Sequence, residues 1–238
     1  MAKIKAYHRP ETVDEAVRLL QREQTAVLAG GTSLVSSLDD SVEELVDLQA
    51  VGLNRVEVEG DTITIGAMVR LQMLVEHSSV PELVRQMARQ EAPSTFRNAG
   101  TIGGTIAAAD WESELYAALL VHEAVVTVQG VEGEKRFYLS ERWNLLDGEV
   151  ITAVSIKTTG QTASARVART PADKPIVAVV GRRAGEELLL AVCGAEKRPI
   201  LVDPAQIEQL TPPSDFRGSY HYRLQMAKVL MQRVIEEL

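Results

Sequence analysis

Between Thr12 and Glu23 the apolar residues Val13, Ala16, Val17 and Leu20 recur at three- and four-residue steps, the period of one helix face. Thr12 and Glu15 form a T-x-x-E pair that predicts a capped helix start. Farther along, the period drops to two. Val56 and Val58 alternate with Glu57 and Glu59, and Ile63 and Ile65 with Thr62 and Thr64, across Gly60-Asp61, which predicts a hairpin. Short apolar runs predict further strands at IKAYH, AVLA, LVDL and AVVTVQG, the last paired with VEGEKRFYL. Helical spacing returns over Arg70–Glu76, over Glu82–Gln90 behind Pro81, and over SELYAALLVHEA. The segment TGQTAS (159–164) is small, polar and without period, and predicts a boundary. Beyond it, ARVAR, PIVAVVGR and ELLLAVCGA read as three strands, followed by helices at PAQIEQL and SYHYRLQMAKVLMQRVIEEL. The last helix carries the apolar stripe Leu224, Ala227, Leu230, Met231, Val234, Ile235 and Leu238, a core face rather than a cofactor box. The pattern is that of an α+β protein with two lobes.

Composition narrows the function. With 238 residues, 45% of them hydrophobic and 24% charged, the chain has the makings of an ordinary folded core. A net charge of −8 argues against nucleic acid as the main partner, because phosphate contacts need a basic face. No apolar run approaches the roughly twenty residues of a membrane span, and MAKIKAYHRP lacks the apolar centre of a signal peptide, so a cytoplasmic location is expected. Cys193 is the only cysteine, which excludes an internal disulfide and a cysteine-bound iron–sulfur cluster within this chain. The four histidines lie far apart without ligand spacing, so no metal site is expected; His122 reads as a structural helix residue.

Two loops interrupt these patterns with glycine. TFRNAGTIGGTIAAAD (95–110) holds Gly100, Gly103 and Gly104 within five residues, and TAVLAGGTSL (25–34) ends an apolar run in Gly30-Gly31-Thr32-Ser33. Glycine adopts positive φ cheaply and lets another group approach the backbone, whose N–H groups then face an anion. Taken singly, either loop also fits a tightly packed turn. Neither is GxGxxG or GxxxxGK[ST], so the Rossmann and P-loop readings fail on spacing. Together they suit a diphosphate held from two sides. Arg97 reads as a brace for the second loop.

The pair AGGTSL and RNAGTIGGTIAAAD resembles the two flavin-binding motifs of the medium, FAD-binding subunit of the molybdenum hydroxylases, the family of xanthine dehydrogenase and aerobic carbon monoxide dehydrogenase. The resemblance continues through VEVEGDTITIGAMVRLQML, LLDGEVITAVSIK and ARVARTPADKPIVAVV to GSYHYRLQMAKVLMQRVIEEL, and so covers most of the chain. It implies an FAD-binding domain of the PCMH (vanillyl-alcohol oxidase-like) type over residues 1–160, in two subdomains split near 50–60. A smaller α+β domain like the C-terminal domain of carbon monoxide dehydrogenase flavoproteins, with a three-stranded sheet and C-terminal helices, would occupy 165–238.

Carried onto this sequence, the resemblance places FAD against Leu28, Ala29, Gly30, Gly31, Thr32, Ser33 and Leu34, and against Thr101, Ile102, Gly103, Gly104 and Thr105. Ile151 joins them from LLDGEVITAVSIK. Three positions depart from the family pattern. Thr105 stands where Asn is common and replaces only part of an amide's hydrogen bonding. Glu114 stands where Asp is usual, with Asp110 as a nearby competitor for the same role. Arg166 stands where a Lys near the flavin is usual, and the guanidinium is not a conservative exchange. An exposed strand position is the alternative reading for Arg166. The chain also looks shorter than its relatives around 130–147 and 198–219.

The function implied is electron transfer, with redox chemistry belonging to the flavin and the protein binding and orienting it. An iron–sulfur subunit and a molybdenum-cofactor subunit would be partners, and NAD or another molecule the acceptor. Two other readings stay open: a free-standing FAD oxidoreductase, for which no acid–base group stands out, and a flavin-free scaffold or assembly subunit.

Overall fold

The computed structural model describes residues 4–34, 38–141, 145 and 147–238. Three sheets follow one another along the chain. The first is parallel, with strand β1 (Ala6–His8) and strand β2 (Thr25–Leu28) flanking β3 (Glu44–Asp47). Helix α1 (Val13–Leu19) connects β1 to β2, and its buried Ala16 and Val17 pack with Leu20, Val46, Leu48, Met68 and Val150. Thr12 Oγ1 accepts from the Glu15 N–H as the cap predicted, while the Glu15 carboxylate turns outward to the N–H of Glu11.

The second sheet is antiparallel, in the order β4–β5–β8–β6–β7. The hairpin read from the two-residue period is β4 (Val56–Glu59) with β5 (Thr62–Gly66); β6 (Val125–Gly130) and β7 (Gly133–Tyr138) form the other, with β8 (Val150–Lys157) between the pairs. Five helices lie between β5 and β6 in the chain: α2 (Leu71–Glu76), α3 (Glu82–Glu91), α4 (Ser94–Arg97), α5 (Ile102–Ala108) and α6 (Glu114–Val121); all but α4 bury side chains in one apolar cluster with the sheet. All eight residues of α6 are buried, although its sequence predicts one apolar side. The reason is a second neighbour. Besides the core below it, α6 packs on the third sheet, and Ala178, Val180, Ala191 and Cys193 join the same apolar cluster.

The third sheet corrects the expected count of strands. After β9 (Gln161–Val167), β10 (Val177–Ala184) and β11 (Glu187–Cys193) comes a fourth, β12 (Ile200–Leu201), paired with Ala191 and Val192. Two residues are too few to show a period, so the sequence pattern missed it. PAQIEQL forms a 3₁₀ turn (Pro204–Gln209) capped by Asp203, not an α-helix. Helix α7 (Tyr220–Glu237) covers the other face of this sheet through Leu224, Ala227, Leu230, Met231 and Val234. The polar segment 159–164 contains the turn at Gly160, with φ +104°, and the start of β9.

Candidate flavin cleft

A cleft of about 1100 Å³ opens where the three sheets' connections meet, slightly above the usual range of roughly 300–1,000 Å³ for small-molecule sites. Its lining comes from the loop after β2, from α5, from the C-terminal end of α3, from the start of β8 and from Ala172, Lys174 and Lys197 of the third lobe. Trp111 lines it too, and the third lobe holds that residue: the Gly194 N–H donates to its carbonyl at 2.7 Å and the Arg223 guanidinium lies 4.7 Å from its ring centroid.

The two glycine loops meet backbone to backbone beside this cleft. A Cβ on Gly30 would stand 2.1 Å from the Ala99 carbonyl oxygen, so Gly30 is required by packing. Gly31 has φ +69°, in the left-handed region that glycine tolerates. Among the described residues, the N–H groups of Gly31 and Thr32 have no protein acceptor. They are donors left for a ligand.

The second loop differs from its expected role as a row of amide donors. Ile102 N–H donates to Val69 O at 3.0 Å, Gly103 N–H to Ala67 O at 2.9 Å, Gly104 N–H to Thr101 Oγ1 at 3.1 Å, and Thr105 N–H to Thr101 O at 3.0 Å. All four amides are spent inside the protein. Gly103 is a packing glycine, because a Cβ there would lie 2.8 Å from the Ala67 Cβ. Gly104 meets only Thr101 Oγ1, at 3.2 Å, and leaves an open floor for close approach. Arg97, read as a brace for this loop, instead ties the segment before it to α2 and to the end of α3, donating to Gln72 and to the carbonyls of Arg89 and Ala92.

Of the residues that the resemblance assigns to FAD, Ala29, Gly30, Gly31, Thr32, Ser33, Leu34, Thr101, Gly103, Gly104, Thr105, Asp110 and Ile151 line the cleft. Leu28, Ile102, Glu114 and Arg166 do not. Leu28 closes β2 and Ile102 is fully buried in the core. Glu114 is 4% exposed and burial pushes its carboxyl up to about 7; Arg166 opposes that shift and Glu91 adds to it. Arg166 faces Glu114 instead of the cleft, with Nε 3.5 Å from the carboxylate and Nη2 donating to the carbonyl of Asp173. The pair forms a layer behind the cleft.

Sequence reading named Asp110 but missed the two charged residues beside it, Lys174 and Glu91. Lys174 lines the cleft, donates to Asp110 and lies 4.0 Å from Glu91. Burial would lower the Lys174 ammonium, but Glu91 and Asp110 outweigh it and raise it. Burial also pushes the Glu91 carboxyl up, while Ser113 Oγ donates to it at 2.9 Å. Burial would raise Asp110; the bonds from Lys174 and the Glu112 N–H hold it below its ordinary value. One signal for this cluster was present. Glu91 continues the stripe Val84, Met87, Ala88 on α3, and an acid on an apolar face asks for a buried partner. Among the described residues no group of three or more His, Cys, Asp or Glu is placed to hold a metal ion, and no helix is long and apolar enough to cross a membrane.

Residues 2–157 match the family described as the FAD binding domain in molybdopterin dehydrogenase. The chain is 29% identical to the carbon monoxide dehydrogenase medium chain of Afipia carboxidovorans, over 97% of this chain and 95% of that one. It is 34% identical to the alpha subunit of the 6-hydroxypseudooxynicotine dehydrogenase complex of Paenarthrobacter nicotinovorans, across 61% of this chain and 54%, about half, of that subunit. Carbon monoxide dehydrogenase from Hydrogenophaga pseudoflava superimposes with a TM-score of 0.89 at 25% identity, covering 100% of this chain and 98% of that one.

Proposed function

Because the chain belongs to the family of FAD binding domains in molybdopterin dehydrogenases, we propose that it is the flavin subunit of a molybdenum hydroxylase complex. It takes electrons from iron–sulfur clusters on one partner and delivers them to a soluble acceptor such as NAD, while a second partner holds the molybdenum cofactor and the substrate. The relatives named above as a dehydrogenase medium chain and as one subunit of a dehydrogenase complex support this division of labour.

The observation that carries the reading is the contrast inside the cleft: unpartnered N–H groups at Gly31 and Thr32 stand across from the open backbone at Gly104. Amide donors at a positive-φ turn suit a diphosphate, and a glycine floor lets it lie close. Bound FAD supplies the exchange between two-electron and one-electron transfer. The chain's part is to fix it: the first loop by donating, the second by shape, and the third lobe by closing the far end through Trp111 and Lys174.

Purified protein tests this directly. The expected outcome is a yellow solution that releases one FAD per chain on denaturation. Gentle purification from the native source should bring down an iron–sulfur protein and a molybdenum protein. A colourless chain that cannot be reconstituted with FAD would favour the scaffold reading. Bleaching of the flavin in the isolated chain by a small organic substrate would favour the free-standing oxidoreductase.

A further inference from the structure

Two lysines, Lys174 and Lys197, line the cleft, and Lys174 is the one held by carboxylates of the same lining. Lys174 sits between two buried or half-buried acids, Glu91 and Asp110, yet 39% of its side chain stays accessible and it lines the cleft. Two carboxylates therefore hold one ammonium in a fixed place without enclosing it. An ammonium has three donors, and Asp110 takes one by a hydrogen bond while Glu91, at 4.0 Å, attracts by charge alone. Beside Glu91, Gln90 also lines the cleft, and its Oε1 is buried with no hydrogen-bond partner. An unsatisfied buried acceptor costs about 1–3 kcal/mol, and the terminal torsion of a glutamine is broad enough to turn the amide toward a ligand.

A donor and an acceptor in the lining of one cleft complement a ring edge on which a carbonyl adjoins an N–H. The pyrimidine edge of an isoalloxazine has that arrangement, two carbonyls flanking one N–H. We propose that Lys174 and Gln90 are the residues with which this chain positions the flavin ring: Lys174 donates to a ring carbonyl and Gln90 Oε1 accepts the ring N–H. This rests on the FAD reading above. It reassigns the cation at the ring from Arg166 to Lys174. Arg166 keeps an indirect part, since its Nη2 holds the carbonyl of Asp173 and so fixes the loop that carries Lys174. Glu114, paired with Arg166, anchors that support from below.

The test uses the purified full chain, wild type, Lys174→Met and Gln90→Leu, titrated with FAD and separately with ADP. Three readouts are recorded: dissociation constants, the position of the visible flavin band, and melting of the ligand-free protein. Lys174→Met is expected to weaken FAD about tenfold or more, the loss of one charge-assisted hydrogen bond, and to shift the band. ADP, which lacks the ring, should bind as to wild type. Gln90→Leu should weaken FAD several-fold while the ligand-free protein melts at the same or a higher temperature, because an orphaned acceptor is removed. That combination is not available to a merely structural glutamine. Unchanged FAD affinity and spectrum in both variants would overturn the assignment and leave the FAD reading standing. Equal losses of FAD and ADP would also overturn it, by placing the pair at the adenine end. Wild-type protein that binds ADP and FAD not at all would defeat the underlying flavin reading instead.

Discussion

The two glycine loops read alike in sequence and act differently in the structure. The first, after β2, keeps the N–H groups of Gly31 and Thr32 without protein acceptors. The second spends the amides of Ile102 to Thr105 on Val69, Ala67 and Thr101, and contributes a surface. Each loop has one glycine needed for packing, Gly30 against Ala99 and Gly103 against Ala67, and one that serves the cleft, Gly31 and Gly104. A glycine cluster is thus two requirements superimposed. One glycine lets chain meet chain, and the next lets ligand meet chain.

Substitutions can break that division. The largest effect is expected from Gly30→Val, whose side chain has no space beside the Ala99 carbonyl. The first loop must then separate from the second, and the protein should lose both its cooperative melting and its FAD. Gly104→Val brings its Cβ to 3.2 Å from Thr101 Oγ1, a side-chain atom that need give only a few tenths of an ångström, and improves helix propensity by a few tenths of a kcal/mol. Melting should change little, while FAD affinity falls at least hundredfold, about 2.7 kcal/mol or more. Gly31→Val should resemble it in binding but melt lower, because a β-branched residue at φ +69° is strained. If Gly30→Val and Gly104→Val behaved alike in both melting and flavin content, the division would be wrong.

The comparison sharpens with pH. Residues 28–34 contain no titratable side chain, whereas α5 leads on to Asp110 and to Glu114, whose carboxyl is pushed up to about 7. A carboxyl that binds its proton more tightly folded than unfolded stabilises the protein while protonated. Its contribution is complete below its unfolded value near 4.5 and is lost as pH rises through about 7. The loss for Glu114 is on the order of 3 kcal/mol. Urea denaturation of the ligand-free protein should therefore show stability declining between about pH 4.5 and 7. Glu114→Gln should flatten much of that slope, leaving the part due to Glu91, which burial also raises.

How much of this was legible beforehand follows from what periodicity and motifs can carry. The hairpin of β4 and β5, the helix α1 with its Thr12 cap and the stripe of α7 are local patterns, and each was readable. The burial of α6 on all sides was not, because its second neighbour, the sheet of β10 and β11, lies some sixty residues later. The site divided in the same way. The glycine loops were visible as motifs, yet only tertiary contacts show which amides remain unpaired. Lys174 was invisible: a lysine before Pro175 in a loop has no signature, and its meaning comes from Glu91 and Asp110, far away in sequence. Arg166 was visible and displaced, because a strand position fixes where Cα lies and not which carboxylate the guanidinium reaches.

The smallest expected effect concerns the hydroxyls of the two loops, and it tests the comparison most finely. Thr32 and Thr105 both line the cleft, and either hydroxyl could be written as a phosphate donor from sequence. Their surroundings differ. Thr105 Oγ1 already donates to the Thr101 carbonyl at 3.3 Å, one turn back along α5. A hydroxyl has a single O–H to give, so a phosphate near Thr105 would gain that donor only by breaking this bond. Thr32 follows the positive-φ turn at Gly31, and among the described residues its hydroxyl has no hydrogen-bond partner. Thr32→Val should therefore weaken FAD about tenfold, the worth of one hydrogen bond to a charged acceptor, about 1.5 kcal/mol. Thr105→Val should change affinity less than threefold, since valine keeps the shape and the lost bond lies within the helix. Combining the two should give the sum of the single effects in free energy, as expected for sites that share no partner. The measurement is a titration of the ligand-free protein with FAD for all four forms at one ionic strength. A larger loss at Thr105 than at Thr32 would reverse the roles assigned to the two loops, making the second the donor and the first the surface.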